Sequence, residues 1–210
     1  LSFNIDRLWR KRLVELVAER KPTNIVDIAT GTGDVAISMA KKIPTSQIVG
    51  IDLSEEMLKV AQQKIEHFSI KPNIRLLCED AENLSLSSNT FDVVTISFGI
   101  RNFENIVKGL SECHRILKEG GSLFIMEFST PKHKVFNVLY RIYSKHILPL
   151  IGQVISNDDK AYKYLPESIV EFNREHEFTE LLLNNGFDSC ISISLSNGIA
   201  HIYIGVKSKM

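Results

Sequence analysis

Few cysteines are present, and their arrangement excludes two kinds of site. The 210-residue chain has three, Cys78, Cys113 and Cys190, and none of them forms a Cys-x-x-Cys pair. This spacing predicts neither a disulfide framework nor a thiolate metal site. It favours a reducing compartment, the cytoplasm.

Net charge and long apolar runs are also missing. Lysine plus arginine equals aspartate plus glutamate at 25 each, so no overall charge attracts nucleic acid, and we expect no nucleic-acid partner. No apolar run reaches the roughly 18 residues of a membrane-spanning helix, and we expect no signal peptide. The chain opens at Leu1 without a methionine, so we also expect natural residues before it.

The chain has enough apolar residues to form one large core. At 210 residues and 44% apolar content, it can bury about 70% of its unfolded surface without disulfides or metals. Residues 1–210 are therefore predicted to form one domain.

Strand-like runs alternate with helical periodicity along most of the chain, which predicts a parallel sheet with crossover helices. One helix is predicted after the N-cap Ser54, and another from Ile106 to Leu117, ended by Gly120 and Gly121. The predicted parallel strands cover residues 25–28, 48–52, 74–78, 91–97 and 122–128.

The C-terminal part of the chain has a different pattern. Residues 188–195 and 199–207 alternate in polarity and are separated by only three residues, so they are predicted to form an antiparallel hairpin. Residues 131–171 fit no sheet position. They are rich in tyrosine and aliphatic residues, including Tyr162 and Tyr164, and are predicted to form a helical insertion that covers the substrate at the carboxyl edge of the sheet.

A glycine-rich loop, IVDIATGTGD, joins the first strand to the next helix. Gly31 and Gly33 have no Cβ, so the backbone can approach a ligand closely. Asp52, at the end of the second strand, stands where an acid binds an adenosine ribose. Both nicotinamide dinucleotides and S-adenosylmethionine fit this pattern.

The acids around the loop favour S-adenosylmethionine. Asp27 and Asp34 flank the glycines and would repel a diphosphate, whereas they suit an ammonium and a sulfonium. Ala36 replaces the third glycine of the dinucleotide pattern. Together with the terminal hairpin, these features predict the Rossmann-like class I S-adenosylmethionine-dependent methyltransferase fold, with a mainly parallel seven-stranded sheet.

Later strand ends supply the remaining candidate contacts to the cofactor, because ligands of such sheets bind beyond the carboxyl ends of the strands. Asp80 and Ala81 follow the third strand, where a carboxylate can accept a hydrogen bond from the adenine amine. Ser97 ends the fourth strand and is placed to touch the cofactor from below. The histidines show no ligand spacing, so no metal is predicted.

Several motifs resemble those of the ubiquinone/menaquinone biosynthesis C-methyltransferases, over essentially the whole chain. DIATGTGD and GIDLSEEML fit many methyltransferases, whereas SFGIRN and AYKYLPESI are specific to this family. The resemblance implies C-methylation of a polyprenylated quinol, from demethylmenaquinol to menaquinol, with the ubiquinone precursor as a second acceptor. It implies that Arg101 and Asn102 face the substrate and that the cofactor contacts Thr32, Asp52, Asp80, Ala81 and Ser97.

A ring carbon is a poor nucleophile unless an adjacent hydroxyl ionises. A cation beside that hydroxyl would lower its pKa from about 10, and we assign this task to Arg101. The alternative for Arg101 is a surface salt bridge at the sheet edge. His114 and His201 are alternative bases, although their apolar-periodic positions are more typical of structural histidines.

The first helix carries Arg7, Arg10, Lys11 and Arg12 beside Trp9. This pattern predicts either peripheral contact with the inner face of the cytoplasmic membrane or a solvated basic face with a packed tryptophan. The sequence is compatible with a homodimer.

Three other functions are compatible with the sequence: methylation of another lipophilic or phenolic acceptor, a nucleotide-binding oxidoreductase, and an inactive S-adenosylmethionine-binding module.

Overall fold

The computed structural model describes residues 5–68, 73–129 and 175–208. The predicted insertion at 131–171, with the AYKYLPESI motif, Tyr162 and Tyr164, lies outside these residues. The described helices are α1 (Ile5–Glu19), α2 (Asp34–Lys42), α3 (Glu55–His67), α4 (Ile106–Ile116) and α5 (Glu175–Asn184). The strands are β1 (Asn24–Ile28), β2 (Gln47–Asp52), β3 (Ile74–Cys78), β4 (Phe91–Ser97), β5 (Leu117–Phe128), β6 (Phe187–Leu195) and β7 (Ala200–Lys207).

These strands form one seven-stranded sheet in the order β3-β2-β1-β4-β5-β7-β6. Strands β1 to β5 pair in parallel, whereas β7 pairs antiparallel with both β5 and β6. The predicted parallel sheet with a C-terminal antiparallel hairpin is therefore confirmed. The strand order reverses between β1 and β4, which opens a crevice at the carboxyl ends of these strands.

Helices cover both faces of the sheet. On one face, α1 and α2 pack on Ile25, Ile48 and Phe124 through Leu13, Val35 and other buried apolar residues. On the opposite face, α4 and α5 pack on the alternate strand residues, such as Val26, Ile28 and Ile96. Because the central strands are buried on both faces of the sheet, their sequences are nearly continuous apolar runs.

Helix α4 ends earlier than its apolar spacing predicts. It stops at Ile116, and Leu117 already has extended backbone and pairs with Phe91 of β4. The register then shifts before Ser122, so the residues between bulge out of the ladder. Nζ of Lys207 donates to the carbonyl oxygens of His114 and Leu117 at 2.8 and 2.9 Å, which satisfies backbone groups at the helix end.

Trp9 of α1 is packed inside the protein. It is 5% exposed, its Nε1 donates to Oγ of Ser196 at 2.9 Å, and its ring lies 6.0 Å from that of Phe128. The interpretation of a packed tryptophan is thus confirmed, and Trp9 is not available to enter a bilayer. Among the described helices, none has the length and apolarity needed to cross a membrane.

Candidate active site

The glycine loop turns sharply through three left-handed residues, Ala29 (φ 52°), Gly31 (φ 55°) and Gly33 (φ 78°). The two glycines serve different purposes. A Cβ on Gly31 would meet none of the described residues within 4 Å, so within this part of the chain the backbone faces open space that a ligand can enter. A Cβ on Gly33 would lie 3.1 Å from Cβ of Ala61, so Gly33 allows the loop to pack on α3.

Asp52 connects the end of β2 to this loop. Its Oδ2 accepts a hydrogen bond from the Gly31 amide at 2.7 Å, and its Oδ1 accepts one from the Ser54 amide at 3.0 Å. Each carboxylate oxygen can accept a second bond. The side chain is therefore held rigidly and can still bind the hydroxyls of a ribose.

Asp27 lies beneath the loop and is 1% exposed. Thr30 and Thr95 each donate a hydroxyl hydrogen bond of 2.6 Å to one of its carboxylate oxygens. Burial raises the pKa of Asp27 from 3.8 to about 6, although the threonine hydrogen bonds oppose the rise. Asp27 can affect a ligand through its charge, since its carboxylate is enclosed by protein.

A cavity of about 310 Å³ opens beside Asp52, at the carboxyl ends of the first strands. Four predicted residues line it: Asp52, Asp80, Ala81 and Asn102. Its wall carries five carboxylates and, among the described residues that line it, no lysine, arginine or histidine. Such a wall attracts a cation and repels a diphosphate. The apolar part of the wall, which suits an adenine ring, consists of Ile28, Ala29, Ile51, Leu53, Ala81 and Phe103.

The other six predicted residues lie outside the cavity wall: Asp27, Gly31, Thr32, Gly33, Ser97 and Arg101. Gly33 and Thr32 are turned toward α3, and Oγ1 of Thr32 accepts a hydrogen bond of 2.7 Å from Lys64. Lys64 and Arg10 also pair with Asp34, at 2.7 and 3.3 Å. The charge of Asp34 is thus compensated by two cations. The acids that attract a cationic ligand are those that line the cavity, and Asp34 is not among them. Oγ of Ser97 is buried and has no hydrogen-bond partner among the described residues.

Arg101 follows β4 in a short 3₁₀ helix, Ile100–Asn102. Phe98 has a φ of 57°, and a Cβ on Gly99 would lie 2.4 Å from Cβ of Ala29, so the chain leaves β4 through a tight turn. Nη1 of Arg101 donates to Oε1 of Glu127 at 2.5 Å. With exposures of 11% and 1%, this is a buried ion pair rather than the surface salt bridge weighed from the sequence.

Glu127 was not predicted as a site residue. Its signal in the sequence is an acid near the end of an otherwise apolar run, SLFIMEF. Burial raises the pKa of Glu127, and the neighbouring guanidinium of Arg101 opposes the rise.

The two candidate histidine bases have structural partners. His114 packs edge-on against Phe187, with ring centroids 5.3 Å apart, and burial lowers its pKa. His201 is 5% exposed, and its Nδ1 lies 2.8 Å from Oγ of Ser192. In the described part of the chain, no group of three or more histidine, cysteine, aspartate or glutamate side chains is arranged to hold a metal ion.

Comparison with known sequences gives matches that span nearly the whole chain. Residues 1–207 match the profile of the ubiE/COQ5 methyltransferase family. The chain is 38% identical over 207 residues to a Porphyromonas gingivalis protein named demethylmenaquinone methyltransferase, a match that covers 98% of this chain and 84% of the relative. It is 41% identical over 208 residues to the ubiquinone/menaquinone biosynthesis C-methyltransferase UbiE of Geotalea uraniireducens, covering 99% and 88%.

Solved structures give the same fold at lower identity. The chain is similar to a SAM-dependent methyltransferase from Aquifex aeolicus, with a TM-score of 0.67, 18% identity and 98% of each chain covered. It is also similar to the [4+2]-cyclase SpnF, with a TM-score of 0.69, 18% identity, and 95% and 82% of the two chains covered. These similarities support the predicted class I methyltransferase fold and leave the activity to be argued from the site.

Proposed function

Because the chain belongs to the ubiE/COQ5 methyltransferase family, we propose that it methylates a ring carbon of a polyprenylated quinol, converting demethylmenaquinol to menaquinol. The curated relatives are named for this chemistry at 38% to 41% identity. The observation that carries the proposal is the acid-lined cavity beside an open glycine turn, because it suits a cationic methyl donor. The names of the UbiE relatives support the ubiquinone precursor as a second acceptor.

S-adenosylmethionine is the donor that the cavity fits. In this proposal Asp52 holds the ribose hydroxyls, and Asp80 with Ala81 holds the adenine. The backbone from Gly31 to Gly33, including Thr32, encloses the methionine part, whose ammonium is attracted by the buried charge of Asp27, and Ser97 supports the cofactor from below. The bound donor supplies a methyl group that is already strongly electrophilic.

The protein's remaining task concerns the acceptor. It must orient the quinol ring, exclude water and favour loss of the proton from the hydroxyl next to the reacting carbon. Arg101 is the cation that favours the ionised hydroxyl, because it lies in the short 3₁₀ helix after β4, directly before Asn102, which lines the cavity. Asn102 adds an amide that can hydrogen-bond an acceptor oxygen.

Methyl transfer from labelled S-adenosylmethionine tests this proposal. The acceptors are short-chain demethylmenaquinol and the corresponding benzoquinol, both kept reduced. Arg101→Ala is expected to lose at least roughly 100-fold in turnover, as when one stabilising donor is removed from an active site, and to bind S-adenosylmethionine within about twofold of the wild type. The matched control is Arg20→Ala, which removes an exposed arginine directly after the end of α1.

Two outcomes of this assay would contradict the assignment. Near-normal turnover of Arg101→Ala would remove Arg101 from the mechanism. A wild-type protein that binds the donor but methylates neither quinol would exclude these acceptors, and a panel of other lipophilic phenols would then identify the substrate.

A prenylated acceptor resides in a membrane, so the enzyme needs access to that membrane. We propose that the protein is cytoplasmic and that α1 binds the inner face of the cytoplasmic membrane. Leu8 of α1 is 65% exposed, and a groove of about 1160 Å³ is lined by the basic side chains of Arg7, Lys11, Lys41 and Lys42, among others, and by the acids Asp6, Glu15 and Asp34. Basic groups of this kind bind anionic headgroups. Sedimentation with anionic vesicles at low salt tests the contact, and ultracentrifugation of the free protein tests for a homodimer.

A further inference from the structure

Glu127 occupies a position where a charge is unfavourable. It lies one residue before the end of β5, is 1% exposed and follows a strand segment whose side chains are all buried. Burying an ionised carboxylate costs several kcal/mol unless a partner compensates it. The compensation comes from Arg101, at 2.5 Å.

This ion pair uses only part of its hydrogen-bonding capacity. Oε1 of Glu127 accepts from Nη1 of Arg101 and, at 2.9 Å, from the amide of Phe128. Oε2 of Glu127 and Nε of Arg101 are buried without a hydrogen-bond partner among the described residues. Within the described residues the two side chains thus meet at one point, which leaves the pair a role besides compensating the buried charge.

The surroundings of Arg101 indicate what that role is. Gly99, directly before its short helix, and Asn102, the last residue of that helix, line the cavity whose wall carries five carboxylates. A long arginine side chain at this position would be attracted by those acids if nothing else held it. An arginine in the cavity would neutralise the acidic wall and repel a cationic ligand.

We propose that Glu127 is a positioning residue that holds the guanidinium of Arg101 at the end of β5 and away from the acidic cavity. The ion pair thus keeps the guanidinium that is proposed to face the acceptor apart from the acidic cavity that is proposed to bind the cationic donor. This inference rests on the proposed function, because it assumes that S-adenosylmethionine binds in the cavity.

The test is a double-mutant cycle on ligand binding, measured by calorimetry without any acceptor. In Glu127→Gln, Arg101 is released, and the affinity for S-adenosylmethionine is expected to fall roughly tenfold, which equals about 1.4 kcal/mol. Arg101→Met is expected to bind within about twofold of the wild type. The double variant Arg101→Met/Glu127→Gln is expected to recover the affinity that Glu127→Gln loses.

A second ligand distinguishes electrostatic repulsion from a damaged site. S-adenosylhomocysteine lacks the sulfonium charge, so Glu127→Gln should weaken its binding clearly less than that of S-adenosylmethionine. A purely structural role would weaken both ligands equally, and the double variant would then bind no better than Glu127→Gln. Either of these results overturns the proposal, as does unchanged donor affinity in Glu127→Gln.

If Glu127→Gln does not fold, other variants test the proposal. Arg101→Met/Glu127→Met removes both buried charges and is expected to fold, because apolar residues of similar size replace such pairs at little cost. Glu127→Asp keeps the charge on a shorter side chain, so it should lose less donor affinity than Glu127→Ala; equal losses would contradict the proposal. Since no quinol is present, failure of the quinol assay would leave these results interpretable, whereas absence of donor binding to the wild type would refute the proposed function itself.

Discussion

Replacing Asp27 by asparagine is expected to stabilise the fold at neutral pH while weakening the binding of the methyl donor. The carboxylate is almost fully buried, and its pKa rises from 3.8 to about 6. Asparagine has nearly the same shape, and the hydroxyls of Thr30 and Thr95 can donate to its oxygen or accept from its amide. The substitution therefore removes the charge and keeps the packing and the hydrogen bonds with the two threonines.

The size and pH dependence of the effect follow from linkage. A carboxyl whose pKa is raised by folding destabilises the folded state above that pKa, because the native protein must bury the ionised form. The rise in the pKa of Asp27 from 3.8 to about 6 corresponds to a loss of about 3 kcal/mol in the free energy of unfolding. This cost is fully present above pH 6, decreases as the pH falls and is absent below about pH 3.8. Between pH 8 and pH 4.5 the stability difference between Asp27→Asn and the wild type should shrink by about 2 kcal/mol.

Urea unfolding at both pH values measures this difference. With a slope of about 2 kcal/mol per molar, the midpoint of Asp27→Asn should exceed that of the wild type by roughly 1.5 M at pH 8 and by roughly 0.5 M at pH 4.5. Asp188→Asn, at an exposed position of β6, is the matched control and should show no such change. Calorimetry should show that Asp27→Asn binds S-adenosylmethionine roughly tenfold more weakly. Midpoints that differ equally at the two pH values would refute the assignment of a raised pKa.

Three further substitutions test how the site is supported. Gly99→Ala places a methyl group 2.4 Å from Cβ of Ala29 and should lower the free energy of unfolding by about 1 to 3 kcal/mol, measured by urea unfolding; an unchanged midpoint would show that the turn has room. Lys207→Met removes the buried amine that binds the end of α4, so a loss of about 1 to 3 kcal/mol and faster amide exchange there are expected; unchanged exchange would contradict the capping role. Trp9→Phe loses the hydrogen bond to Ser196 and part of a buried ring, so it should cost about 1 to 3 kcal/mol in thermal unfolding, without changing donor affinity; an unchanged melting temperature would contradict this packing.

Local patterns predicted most of the fold. Strands β3 and β4 have the predicted bounds, β1 and β2 begin one residue earlier, and Ser54 caps α3 as expected through the Met57 amide. These features depend on neighbouring residues. The end of α4 depends instead on Leu117 pairing with Phe91 and on Lys207, 90 residues further along the chain. Apolar spacing alone continues the helix through that point.

The residues of the candidate site also fall into those that local sequence order predicts and those that depend on long-range contacts. Asp52, Asp80 and Ala81 follow strands that end at one edge of the sheet, so their meeting in one cavity wall could be predicted from the order of elements. The contact of Thr95 with Asp27 and that of Glu127 with Arg101 join residues that are distant in the sequence, and only the assembled sheet brings them together. Roles of the predicted residues in binding and catalysis remain predictions that the experiments above address.

The position of β7 has a consequence for the synthesis of the protein. It lies inside the sheet, between β5 and β6, although it is the last strand along the chain. A ribosome that has released β5 must add about 80 further residues before β7 emerges, which takes roughly 4 to 16 s. During this time the edge of β5 offers unpaired backbone groups beside an apolar surface. Newly made chains are therefore expected to need a chaperone at this edge, and their folding should be completed only after translation has passed Lys207.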